Sequence, residues 1–440
     1  MSAATRLVRS FGSGNQKKWT MSFWMKVSRI NYTDGGGGNS RQVFGQTLSN
    51  YCRFIITGST QKVQFYESQG MDLRPSMTFN DCNAWYHVVV AVDTAQATAA
   101  NRVKIYVNGV QQTAFDTETY PAQNADLHFN KSGTHDIGGS SAYGGYDYFN
   151  GLLSHVHLTD GYAYAASDFG STDSTTGEWS IKTAPSVSYG TTGYWILKDG
   201  NGLTDQSPNS NDWTLSTGTL TKSEDNPSNV FATLNPLSNS SGTFSNGNNS
   251  ISGGNDTAST LGVSTGKWYW EVKRTNTSTV FHAGICSSNQ GFNGTAQQFL
   301  NGSANSVGGS IFIRNDGTSG STTQASNAGF SSVSYNLNSF TVSNGDILGF
   351  ALDLDSGTKR LDIYKNGSSV GYVTFSYDEL NPIFVFCRMN SGATSAWNFG
   401  NGYFGTTAVS SAGTNASNLG IFEYDVPANY TALCTKGLNE

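Results

Sequence analysis

A regular alternation of apolar and polar residues marks the first long strand of the chain. Over residues 19–27 one face is apolar and carries Trp19, Met21, Phe23, Met25 and Val27. The other face carries Thr20, Ser22, Trp24 and Lys26. Alternation of this kind predicts a β-strand that is buried on one face only.

The next two strands are predicted from similar patterns. Residues 85–92 are apolar on both faces, which predicts a central strand. Residues 103–107 alternate and run directly into Asn108 and Gly109. An Asn-Gly pair tolerates positive φ at both positions, so this stretch predicts a β-hairpin.

The second half of the chain repeats this plan. Residues 267–273 alternate, with Trp268, Trp270 and Val272 on one face. Residues 347–354 are apolar on both faces, and residues 361–364 lead towards a second Asn-Gly pair at 366–367. The spacing is far too long for a solenoid, so we expect two related β-sandwiches.

Two other stretches are less regular. Residues 171–229 contain two short strand-like runs, 193–198 and 212–215, and are expected to form an ordered connecting module. Residues 238–259 are almost wholly Ser, Asn, Gly and Thr. They carry little apolar area to offset the entropy of ordering, which predicts a long surface loop or a linker. Helical periodicity is confined to short turns such as 165–169.

Composition supports an all-β fold. Aromatic residues reach 12% of the 440 positions, Gly accounts for 51, and charged residues for only 13%. Strands favour aromatic residues and turns favour Gly, Asn and Ser. We therefore predict two successive antiparallel β-sandwich (jelly-roll) domains at 1–170 and 230–440, joined by the module at 171–229. Trp19, Phe23, Trp268 and Trp270 are predicted to be buried.

Charge and hydropathy argue against several classes of partner. The net charge is −6 and no basic block is present, which argues against nucleic acid. No apolar run approaches the length of a membrane span, so no membrane insertion is expected. Arg6 and Arg9 are not followed by the apolar stretch of a secretory signal, so a protein of this type that acts outside a cell would leave by another route, such as lysis.

The cysteines do not form a recognisable pattern. There are five, and none belongs to a C-x-x-C pair: Cys52, Cys82, Cys286, Cys387 and Cys434. This predicts small buried side chains that stay reduced rather than a disulfide framework or a zinc site. A bridge between Cys52 and Cys82 is left open.

Several segments resemble known families. Residues 19–24, 85–90 and 105–109 resemble the laminin-G/concanavalin A-like sandwich. Residues 149–161, followed by 167–170, resemble the closing segment of laminin-G-like domains in virion proteins of tailed phages, especially marine ones.

The second half resembles a SPRY domain. The matching segments occur in the expected order at 266–272, 345–357, 363–367 and 397–400. The tail at 424–435 resembles the end of SPRY domains in phage and large-virus proteins.

These resemblances imply a virion structural protein of a tailed phage, made in the host cytoplasm. It would display lectin-like domains on the particle, as a tail fibre or other tail appendage that binds a receptor, or as a capsid decoration. Its expected partners are identical copies, other virion proteins and a host surface glycan. A secreted or surface carbohydrate-binding module of a cell is the alternative, and a glycan hydrolase is the third class.

Candidate catalytic and metal-binding residues are few. A glycoside hydrolase needs two carboxylates beside the scissile bond. The nearest pair, Asp353 and Asp355, is expected to fix a turn, so we predict no enzymatic activity.

His155 and His157 share a strand face at a spacing seen in metal sites, but are expected to be ordinary strand histidines. No cofactor is expected, although laminin-G domains often carry Ca²⁺, for which Asp136 or Asp147 could serve.

One loop has the composition of a recognition surface. Residues 138–148 place Tyr143, Tyr146 and Tyr148, with Asp147, on a backbone rich in Gly and Ser. Tyr offers a large contact area at low entropic cost, and aromatic faces stack on sugar rings. We predict ligand binding at this loop. The alternative is that the rings pack against their own sheet or an adjacent subunit.

Overall fold

The computed structural model describes most of the chain. The described residues are 5–28, 40–46, 52–58, 60–68, 70–140, 147–198, 202–238, 242–254, 256–276, 281–287, 310–315, 322–325, 330–389 and 392–439. The chain divides into two units, Met1–Lys222 and Ser223–Glu440. Each unit is a β-sandwich with its own apolar core, which confirms the predicted all-β fold class.

The first unit packs two antiparallel sheets, whose strands are numbered along the chain and counted over the described residues. From one edge to the other, the eight-stranded sheet contains β10 (Phe115–Thr119), β6 (Met71–Pro75), β5 (Val63–Glu67), β4 (Cys52–Thr57), β3 (Ser40–Gln46), β11 (Gly133–Ile137), β1 (Arg6–Phe11) and β16 (Thr214–Thr217). The six-stranded sheet contains β15 (Tyr194–Ile196), β12 (Gly151–Asp160), β2 (Lys18–Val27), β7 (Trp85–Asp93), β8 (Val103–Val107) and β9 (Val110–Gln111). A hairpin of β13 (Gly170–Thr172) and β14 (Trp179–Ile181) forms a separate two-stranded sheet that pairs with neither.

Strand β2 is buried on both faces. Its predicted apolar face, with Trp19 and Phe23, lies in the core between the sheets. The prediction that the opposite face is open is wrong, because Trp24 is only 4% exposed and stacks on His87. Residues further along the chain, including Phe169 and Trp179, form a second apolar cluster on this outward side of the six-stranded sheet.

The segment predicted to be a connecting module is divided between the two units. Residues 171–222 belong to the first unit, where β15 pairs with β12 and β16 pairs with β1. Tyr194, Ile196 and Trp213 enter the first core, so burial of these three side chains explains why the segment folds onto the first sandwich. Residues 223–229 belong to the second unit.

The second unit also packs two sheets, again counted over the described part of the chain. The larger contains β17 (Thr243–Ser245), β18 (Ser250–Ser252), β29 (Thr394–Asn398), β20 (Lys267–Arg274), β25 (Ile347–Asp353), β26 (Lys359–Lys365), β27 (Ser368–Tyr377) and β24 (Phe330–Leu337), and β32 (Thr431–Ala432) joins it as a ninth strand parallel to β20. The five-stranded sheet contains β19 (Asp256–Val263), β28 (Ile383–Met389), β21 (Phe281–Ser287), β22 (Ser310–Asn315) and β23 (Thr322–Ala325). A short hairpin joins β30 (Tyr403–Phe404) to β31 (Thr407–Ala408).

The polar stretch 238–259 is not a linker. It forms the hairpin β17–β18, which extends the nine-stranded sheet through β29, and it continues into β19. Its two large apolar side chains, Phe244 and Ile251, face each other across the hairpin and are buried in the core. The surface-loop prediction fails because burial of this one pair and ladder hydrogen bonds hold the hairpin in the sheet.

Both predicted Asn-Gly hairpin turns are present. Asn108 and Gly109 have φ of 46° and 81°, and Asn366 and Gly367 have 49° and 79°. Each glycine also lies against an aromatic ring from later in its own unit, Trp179 in the first and Tyr424 in the second. A Cβ at either glycine would collide with that ring.

Helical structure in the described residues consists of 3₁₀ turns at Ala99–Asn101, Ala166–Asp168, Pro236–Ser238 and Gly437–Asn439. None of the helices found there has the length and hydropathy needed to cross a bilayer. All five cysteines are buried and free, so Cys52 and Cys82 are not bridged.

Candidate functional site

The predicted recognition loop starts and ends at neighbouring positions on the first unit. The Gly138 N–H donates to the Val43 carbonyl at 2.9 Å, and the Phe149 N–H donates to the Gly138 carbonyl at 3.0 Å. Tyr143 and Tyr146 lie outside the described residues. The described parts of the loop are its two ends, up to residue 140 and from residue 147 onward.

Gln42 of β3 holds both ends of the loop. Its backbone N–H donates to the Asp147 carbonyl at 2.8 Å, and its side-chain amide donates to the Gly139 carbonyl at 2.7 Å. The amide lies against Gly45, where a Cβ would come within 2.8 Å of it. Gln42 is 3% exposed. One buried residue thus fixes the separation of the two ends through its backbone N–H and its side-chain amide, and no local sequence pattern near Gln42 indicates this role.

Asp147, at one end of the loop, is held by residues of the same unit. Its backbone φ is 66°, a conformation that is uncommon for residues other than Gly. Its carboxylate is buried and accepts from the Arg53 guanidinium at 3.2 Å. The structure therefore places Asp147 where it orients the loop, with its charge compensated by Arg53.

A calcium site does not fit these residues. Asp136 is fully buried and lies 3.9 Å from the Arg6 guanidinium, while Asp147 pairs with Arg53. Both carboxylates already face a cation, whereas Ca²⁺ needs six to eight oxygen ligands. Within the described ranges, no group of three or more His, Cys, Asp or Glu side chains could hold a metal ion.

Tyr148 packs against the base of the loop. It is half-buried, and its ring lies over Gly139, where a Cβ would be only 2.8 Å from the ring. Because Gly139 has no side chain, the ring can approach the backbone closely.

His155 and His157 are packing residues in a buried aromatic layer. The register of β12 shifts at this point, and His155 adopts a φ of 47°. Both rings lie against Trp195, with centroid distances of 6.1 and 4.9 Å. Burial, reinforced by the nearby His155, lowers the pKa of His157 well below its usual value, so this ring is neutral.

The same layer contains His87. It accepts a hydrogen bond from the Trp179 indole at 3.0 Å and pairs with Ser22 at 2.9 Å. Burial, and then the neighbouring His155, lowers the pKa of His87 to about 3. His87 is therefore neutral at neutral pH.

Asp353 and Asp355 fix a turn in the second unit. Strand β25 ends at Asp353, and the Asp353 carboxylate accepts from the N–H groups of Asp355 and Ser356, as expected for a turn. Although burial opposes it, hydrogen bonds from Lys267 and Ser356 lower the pKa of Asp353 to about 2. Asp355 accepts from the Gly266 N–H at 2.7 Å.

Comparison with known proteins supports a lectin-like first unit. Residues 5–168, less than half of the chain, match the family described as the concanavalin A-like lectin/glucanases superfamily. A search of curated proteins gave no significant match.

The solved structures that resemble parts of this chain have low sequence identity to it. The TRIM65 PSpry domain is 14% identical over 38% of this chain and 88% of its own, with a TM-score of 0.28. A heptameric SAP-like pentraxin from Limulus polyphemus is 15% identical over 37% of this chain and 72% of its own, at 0.26. The SPRY domain of human HERC1 is 14% identical over 37% of this chain and 96% of its own, at 0.26.

Proposed function

We propose that this chain is a non-catalytic, glycan-binding structural protein of a tailed-phage particle, and that the loop at 138–148 contacts the glycan. The observation that carries the proposal is the clamp on this loop. Gln42 joins both ends by hydrogen bonds of 2.7 and 2.8 Å, and Arg53 holds Asp147. A recognition loop with fixed ends loses less entropy on binding than a free one. The loop also lies within the residues that match the lectin-like family.

Binding is tested on a glycan array with the full chain and three variants. Tyr148→Ala removes the ring that packs at the base of the loop. Gln42→Ala removes the side-chain bond to the Gly139 carbonyl and so releases that end of the loop, while leaving every tyrosine in place. Both should weaken binding about tenfold or more, which corresponds to ~1.4 kcal/mol. Tyr162→Ala is the matched control, since Tyr162 is an exposed tyrosine of the same unit. Equal binding by wild type and Tyr148→Ala, or no ligand at all, would contradict the proposal.

The non-catalytic part of the proposal rests on the roles of the carboxylates. Asp353 and Asp355 are the nearest candidates for a hydrolase pair, and both accept hydrogen bonds that shape a turn. Replacing both by Asn should change stability but no activity. If the purified protein degrades a polysaccharide and the double variant does not, hydrolysis is the correct interpretation.

The particle setting rests on two resemblances. Residues 149–161 resemble the closing segment of domains in phage virion proteins, and residues 424–435 resemble the end of SPRY domains in phage and large-virus proteins. The chain should then be present in purified particles, in contact with identical copies and with other virion proteins. Mass spectrometry of particles and antibody labelling in electron micrographs test this directly. A glycan-binding chain that is absent from particles would instead favour the cellular carbohydrate-binding module.

A further inference from the structure

The outward face of the nine-stranded sheet is only partly covered. Tyr269 of β20 and Ala351 of β25 are buried beneath the C-terminal part of the chain, in a cluster with Phe422, Val426 and Ala432. The neighbouring strands β26, β27 and β24 continue the same face beyond this cluster. We name this uncovered part of the face the open half of the sheet.

The strand register defines which side chains lie on the open half. Directly paired residues of antiparallel strands point to the same face. One row runs Lys267, Asp353, Arg360, Thr374 and Ser334, and the next runs Tyr269, Ala351, Asp362, Tyr372 and Asn336. The open half therefore presents Arg360, Asp362, Tyr372, Thr374, Ser334 and Asn336. All of these are half-buried or exposed.

Arg360 is held in one orientation on this surface. Its Nε donates to the two oxygens of Asp362 at 2.9 and 2.8 Å, and Nη2 donates to the same carboxylate. The guanidinium also lies over the ring of Tyr372, 3.7 Å from its centroid. The Arg360 side chain nevertheless remains 43% exposed. A planar donor group that is fixed before binding loses little entropy when a ligand arrives.

Tyr430 borders the open half on the side of the C-terminal cluster. It is half-buried, and the Lys267 ammonium lies 5.8 Å from its ring. Lys267 in turn forms an ion pair with Asp353 at 2.9 Å. The two pairs, Lys267 with Asp353 and Arg360 with Asp362, leave this surface without a net charge.

We propose that the open half binds a neutral oligosaccharide, as a second binding site independent of the loop in the first unit. Sugar hydroxyls need closely spaced donors and acceptors, which the guanidinium, carboxylate, amide and hydroxyl groups supply. A sugar also presents a C–H face, for which Tyr372 and Tyr430 supply aromatic rings. The compensated charges do not favour an anionic ligand. The six side chains of the open half include no aliphatic one, which does not favour an apolar protein partner.

The test uses the full chain on an array of neutral and sulfated glycans, in wild type and in a Tyr148→Ala background. Tyr372→Ala and Arg360→Ala should each weaken binding of at least one neutral glycan about tenfold or more, equally in both backgrounds. Tyr335→Ala is the matched control, because Tyr335 is an exposed tyrosine on β24 paired with the core residue Val373, on the opposite face. Unchanged melting temperatures establish that the surface variants are folded.

Three results would overturn this second site. One is that no neutral glycan remains bound in the Tyr148→Ala background. Another is that such binding is unaffected by Tyr372→Ala and Arg360→Ala. The third is binding of sulfated glycans alone, lost with Arg360→Ala but not with Tyr372→Ala. Binding that is lost with Tyr148→Ala and kept with Tyr372→Ala would leave the loop proposal standing, so the two failures are distinguishable.

Discussion

Glu271 of β20 secures the C-terminal part of the second unit through hydrogen bonds from four donors. Oε1 accepts from the Tyr269 hydroxyl at 3.2 Å and the Tyr424 N–H at 2.9 Å. Oε2 accepts from the Glu423 N–H at 2.9 Å and the Asn398 amide at 3.2 Å. Burial outweighs these bonds and raises the pKa of Glu271 to about 7. The carboxyl therefore holds a proton in the folded protein at pH values where an unfolded chain releases it.

This difference predicts a pH-dependent stability. From the ordinary pKa of 4.5 up to about 7, the folded state binds the extra proton, so the free energy of unfolding should fall as pH rises across this window. At 1.36 kcal/mol per pKa unit the fall amounts to about 3 kcal/mol at most. Glu271→Gln cannot titrate and should lose this slope.

Urea unfolding between pH 4 and 8 on both proteins gives the measurement, with the pH range set by the two pKa values. Buried histidines with lowered pKa act in the opposite direction, and both proteins contain them, so the difference between the two curves isolates Glu271. Parallel curves would show that Glu271 does not titrate in this range.

At the scale of elements, the hairpin β17–β18 depends on one pair of side chains. Phe244 is 3% exposed and Ile251 2%, whereas the Asn and Gly residues of the turn add little apolar area. Phe244→Ala should destabilise the second unit by about 3–5 kcal/mol, as expected for loss of a core aromatic ring. Thr243→Ala alters an exposed neighbour on the same strand and should stay within about 0.5 kcal/mol of wild type. Chemical denaturation compares the two, and a Phe244→Ala variant as stable as Thr243→Ala would mean that the hairpin is not anchored by its ring.

Strong local patterns predicted the elements well, and distant contacts could not be predicted. Alternation placed Trp19 and Trp270 in their cores, and both Asn-Gly turns were found. The same alternation suggested that Trp24 faces solvent, because nothing near it in sequence shows that residues more than a hundred positions later cover it. The loop composition pointed to residues 138–148. The clamp from Gln42 and Arg53 depends on long-range pairing, which leaves no local signal.

The whole molecule carries few charges to protect its sheet edges. Charged residues make up 13% of the chain, about half of the usual roughly 25%. Val110 is 66% exposed on β9, the outermost strand of the six-stranded sheet. Leu215 is 42% exposed on β16, at one edge of the eight-stranded sheet. Open edges with apolar side chains and no lysine favour pairing with another chain.

We therefore expect the isolated protein to associate with identical copies through these edges. Light scattering at micromolar concentration should give a mass above that of one chain for wild type. The double variant Val110→Lys, Leu215→Lys should shift the mass towards the monomer, because desolvating a lysine opposes edge pairing. Val110→Thr with Leu215→Thr is the matched control, since it reduces hydrophobicity without adding charge and should keep more of the association. A wild-type protein that stays strictly monomeric would remove the support for assembly in a particle and favour a free carbohydrate-binding module.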